Sequence, residues 1–169
     1  MKIRATLLLA AVPLLLAAEK PEWIKFAPKD EKFSISLPKA PRDLSPKASA
    51  DAPIRSKVYM CQPAAVGDAV YTVNVTEMPG KVTPDDVRDG LISGSKDKVE
   101  SEKPFQVGTA KGKEFTIKTA GPSPYKRVRV CVVKATIYQW MVSGSEADVK
   151  GKDADMFLTS FELTESPNK

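Results

Sequence analysis

Lys126, Arg127, Arg129 and Lys134 form the densest cationic cluster of the chain. On a β-strand, Arg127 and Arg129 share one face, while Val128, Val130 and Val132 take the other. Two guanidiniums about 7 Å apart suit a phosphate, a carboxylate or an acidic protein surface, because each offers a planar fork of N–H donors. Lys126, Arg127 and Arg129 are therefore the candidate binding residues. The competing reading is a solvated face, or arginines paired with carboxylates of the chain itself, such as Asp85, Asp86 and Asp89.

Cys61 and Cys131 are the only cysteines. In an oxidising compartment they could form a disulfide; otherwise they are two separately buried thiols, and both readings stay open. Histidine is absent. That removes the Ser-His-Asp triad, a Cys-His dyad, His-ligated zinc and a histidine pH switch. Asp148, Asp153 and Asp155 lack the register of a calcium loop and better suit the start of a helix. No metal or cofactor is expected, and no catalytic residue is assigned. Asn74-Val75-Thr76 matches a glycosylation acceptor but falls in the middle of a predicted strand.

The start of the chain supplies the compartment. Lys2 and Arg4 precede an apolar run from Ala5 to Ala18, which ends in small residues before polar Glu19-Lys20. This is the pattern of a cleavable secretory signal peptide. At 14 residues the run falls short of the ~20 needed to span the hydrocarbon core. Cleavage after Ala18 would leave 151 residues and remove two basic but no acidic groups, taking the formal charge from +5 to +3. The expected organisation is a leader at 1–18, one domain at 19–163 and a polar tail at 164–169. No membrane span is expected after cleavage. The expected location is periplasmic or extracellular, and nucleic acid is not an expected partner.

The elements follow from periodicity. Trp23–Phe26 and Phe33–Leu37 read as a hairpin. Pro38 to Pro53, with four prolines, reads as a long loop. Strands are predicted at Lys57–Gln62 and Val70–Thr76, with Tyr71, Val73 and Val75 on one face. Thr83-Pro84-Asp85-Asp86 marks the start of a helix running to about Lys98. Four more strands are predicted: Phe105–Thr109, Lys113–Thr119, Tyr125–Val133 and Thr136–Ser143. Ala110-Lys111-Gly112 is expected to turn between the first two. Ala154, Phe157, Leu158 and Phe161 recur with helical spacing. Long βαβ alternation is missing, so the fold class is α+β, an antiparallel β-sheet with helices packed on it.

These residues carry a resemblance. The Trp23 hairpin leads into Phe33-Ser34-Ile35-Ser36-Leu37-Pro38. Later come Gly112-Lys113-Glu114-Phe115, the pair Arg127–Val130 with Ile137–Trp140, and the closing Ala154–Phe161 segment. Together they resemble small secreted bacterial proteins of the PsbP-like α/β/α sandwich. That fold is shared by the extrinsic PsbP subunit of photosystem II and a Ran-binding nuclear import factor. The resemblance implies a protein that binds or assists other proteins, and it carries over no site residue.

The expectation is a non-enzymatic, exported binding or accessory protein of the cell envelope. Its partner would be an envelope protein or an anionic envelope component, met by a sheet face or the proline-rich loop. One alternative is a carrier of small anionic ligands, using Arg127 or Arg129 in a cleft between sheet and helix. Another is a hydrolase built on two carboxylates.

Overall fold

A computed structural model describes residues 22–47, 54–63, 69–93 and 96–164. The expected leader at 1–18 and residues 165–169 of the expected tail lie outside them, as do residues 48–53 of the proline-rich loop. The N-terminal hairpin is β1 (Ile24–Phe26) and β2 (Phe33–Leu37), paired antiparallel with Phe26 opposite Ile35. A short last strand, β10 (Glu162–Leu163), adds to the other side of β2 and makes a three-stranded sheet.

The larger sheet has seven antiparallel strands in the order β3-β4-β5-β9-β8-β7-β6. Its members are β3 (Arg42–Asp43), β4 (Arg55–Cys61), β5 (Val70–Glu77) and β6 (Lys98–Val107), followed by β7 (Ala110–Lys118), β8 (Tyr125–Val133) and β9 (Thr136–Gly144). Strand alternation gives it two faces. One buries Tyr71, Val73, Tyr138, Trp140 and Val142 against the three-stranded sheet and two helices, α2 (Glu146–Lys150) and α3 (Lys152–Thr159). The other buries Phe115, Ile117, Val128 and Val130 beneath α1 (Pro84–Ile92). The architecture is the expected α+β sandwich. Among the described residues, no helix is long and apolar enough to cross a membrane.

Some elements depart from expectation. The first helix ends at Ile92 rather than Lys98, and residues 98–104 instead begin the long edge strand β6. Its alternation is masked by Lys98, Glu100, Glu102, Lys103 and Pro104, and by a register shift between Val99 and Ser101. Such charges, a proline and a bulge keep an exposed sheet edge from pairing with another chain. The β6–β7 turn therefore falls at Gly108-Thr109, not at Ala110-Lys111-Gly112, and Gly108 takes φ 57° there. Part of the expected loop after Pro38 is strand: Arg42 and Asp43 pair with Met60 and Tyr59.

Tyr71 is 0% exposed, and among the described residues its hydroxyl has no hydrogen-bond partner. Its ring is held edge-on by Trp23 at 6.1 Å and Phe157 at 5.2 Å. Burial, reinforced by Asp153, pushes the phenol far above its ordinary pKa. Removing a buried hydroxyl that makes no bond removes only a desolvation cost. Tyr71→Phe is therefore expected to be neutral or stabilising by up to about 1 kcal/mol in urea unfolding. A loss of similar size would mean that the hydroxyl is bonded in solution.

Candidate functional site

The arginine pair predicted to receive an anion already holds one. Glu114 on β7 lies directly opposite Arg129 on β8, with Thr116 opposite Arg127. All four side chains share the face that meets α2 and α3. Glu114 is 4% exposed. Arg127 Nε donates to its Oε1 at 2.7 Å, and Arg129 Nε donates to its Oε2 at 2.6 Å. Lys103 Nζ approaches Oε1 at 3.1 Å. The outer ends of the guanidiniums reach the helices: Arg127 to Asp155 at 2.6 Å, Arg129 to the Leu158 carbonyl at 2.8 Å. Arg129 also lies over the Phe105 ring at 4.9 Å.

The cluster therefore ties the sheet to α3. Burial alone would raise the Glu114 carboxyl, but the hydrogen bonds from Arg127 and Arg129 win and hold it below the ordinary carboxylate range. For Arg127, burial works against the charge, and the bonds to Glu114 and Asp155 more than offset it. Asp85 and Asp86, offered as partners from sequence, are engaged elsewhere. Asp85 pairs with Lys113 and Arg88, and Asp86 caps α1 through Thr83. Lys126 points to the opposite face, 3.9 Å from Asp97, so the structure separates it from the two arginines.

The cysteines do not meet. Cys61 lies on β4 and Cys131 on β8, with β5 and β9 between them. Three strand spacings are about 14 Å, twice the Cα separation a disulfide tolerates. Both are free, buried thiols, which settles the disulfide expectation against the bond. Burial pushes Cys61 up to about 11, against a backbone hydrogen bond from Lys39, and pushes Cys131 up to about 12. At pH 8 the folded protein is expected to ignore a thiol reagent such as Ellman's, and to release two equivalents when unfolded without reductant.

Sequence reasoning missed the open part of the other sheet face. Val58, Asn74 and Gln139 stand side by side across β4, β5 and β9, and Ser56, Thr76 and Ile137 form the next row. Helix α1 covers the β7–β8 half of this face, where the side chains are apolar. Over β4, β5 and β9 an open groove of about 430 Å³ remains, walled by Met78, Val82 and Val87. Its floor is polar. Asn74 Oδ1 is buried, and among the described residues it accepts no hydrogen bond. Gln139 is 9% exposed, and among the described residues its Nε2 meets only the Met141 thioether, at 4.0 Å. Asp86 is the one charged side chain among the described residues lining the groove. The sequence signal was three polar residues, Thr72, Asn74 and Thr76, alternating down a central strand.

A second cleft, of about 330 Å³, lies at the β1–β2 turn and holds Glu31, Asp43 and Tyr59. Burial raises Glu31 against the pull of Arg55, while hydrogen bonds from Ser45 hold Asp43 below its ordinary value.

No family model and no curated protein matches the chain. Among solved structures, it is similar to cyanobacterial PsbP (CyanoP) from Synechocystis sp. PCC 6803, at 12% identity and TM-score 0.60, over 87% of this chain and 95% of that one. It is also similar to LpqN of Mycobacterium tuberculosis, described as involved in cell envelope biogenesis. There the identity is 11% and the TM-score 0.45, over 85% of this chain and 91% of that one. The fold is PsbP-like, as the resemblance in the sequence implied.

Proposed function

We propose that this chain is an exported, non-enzymatic binding protein of the cell envelope, and that the groove over β4, β5 and β9 is where it binds. The observation that carries this reading is Asn74 Oδ1, a buried acceptor without a partner on the floor of an open cleft. A buried polar group left unpaired costs about 1–3 kcal/mol, and a ligand that donates to it recovers part of that. The leader pattern supports the compartment. The anionic-carrier alternative is disfavoured because Glu114 occupies both arginines.

Native mass spectrometry of the protein purified from the envelope fraction of its producing cells tests the reading. A bound non-covalent mass is expected, and Asn74→Trp, which fills the groove, should lack it. A chain found in the cytosol, or one equally bare in both forms, would overturn it.

The cleft holding Glu31 and Asp43 favours a second reading, a carboxylate hydrolase. Two carboxyls pushed in opposite directions within one cleft can divide acid and base roles. Turnover of 4-nitrophenyl glycosides that Glu31→Gln abolishes would establish it. The binding reading expects none.

A further inference from the structure

We infer that the groove takes a small, uncharged ligand whose apolar body carries an amide group. This rests on the binding reading above and names the chemistry of its occupant. Asn74 and Gln139 are directly opposed partners on β5 and β9. Opposed side chains of this kind have Cβ atoms about 4.5–5.5 Å apart. One supplies a buried acceptor with no donor, the other a donor whose sole protein partner among the described residues is a thioether at 4.0 Å. A thioether is a weak acceptor, so the Gln139 donor is nearly unspent.

The complement to an acceptor beside a donor is a donor beside an acceptor. A carboxamide has that arrangement, its N–H for Asn74 Oδ1 and its C=O for Gln139 Nε2. The neighbouring hydroxyls of Ser56 and Thr76 lie 3.3 Å apart, so one donates to the other. Among the described residues lining the groove, Asn74 Oδ1 is the buried side-chain atom without a hydrogen-bond partner, and Gln139 lies opposite it.

The walls decide the rest of the ligand. Val58, Val82, Val87 and Met78 offer apolar surface, and the volume lies within the range of small-molecule pockets rather than protein interfaces. Charge is selected against. An anion would meet Asp86, which the Thr83 hydrogen bonds hold below the ordinary carboxylate range, and among the described residues no cation lines the groove to balance it. A cation would find one carboxylate, Asp86, but its Oδ2 is already engaged by the Thr83 N–H and hydroxyl, and Gln139 Nε2 faces the cation as a competing donor.

Three probes of similar shape separate these demands: octanamide, N,N-dimethyloctanamide, which lacks the donor, and octanoate, which adds the charge. Amide chemical shifts of the purified chain are followed during titration with each. Octanamide is expected to move signals of β5 and β9 around Asn74 and Gln139 saturably, and to bind at least about tenfold more tightly than the other two. In Asn74→Leu, with unchanged melting temperature, octanamide should fall to the level of its dimethyl analogue.

Equal binding of all three, tighter binding of octanoate, or no shifts in the groove would overturn the inference. The comparison on the unaltered chain decides even where the variant does not fold. If the envelope-purified protein carries a mass that Asn74→Trp loses while octanamide fails, the ligand class is wrong and the binding reading stands. If both experiments fail, the groove is not a site.

Discussion

Glu114→Ala is expected to remove about 3–5 kcal/mol of stability, because it strands two largely buried guanidiniums rather than one weak bond. Arg127 and Arg129 are 12% and 13% exposed, and both direct Nε at this one carboxylate. With it gone, their charges face each other across one strand position; among the described residues Arg127 keeps Asp155 and the Val149 carbonyl, and Arg129 keeps the Leu158 carbonyl and the face of Phe105. For a domain of this size, the melting temperature should fall on the order of 10 °C. The complementary variant is Glu114→Leu combined with Arg127→Met and Arg129→Met. Removing the whole buried cluster together is expected to be neutral or stabilising, since the desolvation of all three ions disappears with their attraction. Urea unfolding of both variants checks the pair. A loss below about 1 kcal/mol in the single variant would mean that water screens the cluster.

The same geometry gives a pH dependence. The Glu114 carboxyl sits below its ordinary value in the folded protein, so its contribution is fully present above the range where an unfolded glutamate titrates. It is lost as pH falls through that range and on through the lower folded value. Arginine stays protonated throughout, so Arg127 adds no opposing step. Glu102, held down by Lys113 and Arg88, and Glu162, held down by Lys25 and Ser34, act in the same direction from exposed positions, where solvent weakens them.

Much of this was legible in the chain because alternation and capping are local. Tyr71, Val73 and Val75 face one core as read, and Thr83-Pro84-Asp85-Asp86 caps a helix with Thr83 and Asp86 bonded reciprocally. A second capping box, Ser145 with Asp148, was equally local. It begins the five-residue α2, and Asp148 suits a helix start as expected, while Asp153 and Asp155 stand in the first turn of the separate α3. What escaped depends on strand order and register. Nothing near Arg127 in sequence points to Glu114, which arrives only because β7 pairs with β8 at that offset. Cys61 and Cys131 both sit in strands as expected, and the order β4-β5-β9-β8 together with the register, which places Cys61 on the rung of Arg127, keeps them apart. Asn74 lines an open groove because α1 packs over β7 and β8, which no local pattern around residue 74 announces.

The other large effect is expected at Trp140, the residue that couples the sheet to the layer above it. Its side chain is fully buried. It stacks on Phe161 at 4.0 Å and 11° and meets Phe105 edge-on at 5.5 Å. Its Nε1 donates to the Leu158 carbonyl at 3.0 Å, the same carbonyl that Arg129 reaches. That carbonyl lies in the last turn of α3, where helix geometry leaves no partner within the helix. Trp140→Ala should therefore cost about 3–5 kcal/mol through the cavity it opens. Trp140→Phe keeps most of the contact and loses the hydrogen bond, for about 1–2 kcal/mol. Gln139, its neighbour in the strand, faces the groove on the opposite side. Trp140→Phe should thus leave octanamide affinity unchanged while the urea midpoint falls. A parallel loss of affinity would show that the groove depends on the far core, and that its shape is set by packing rather than by the two amides.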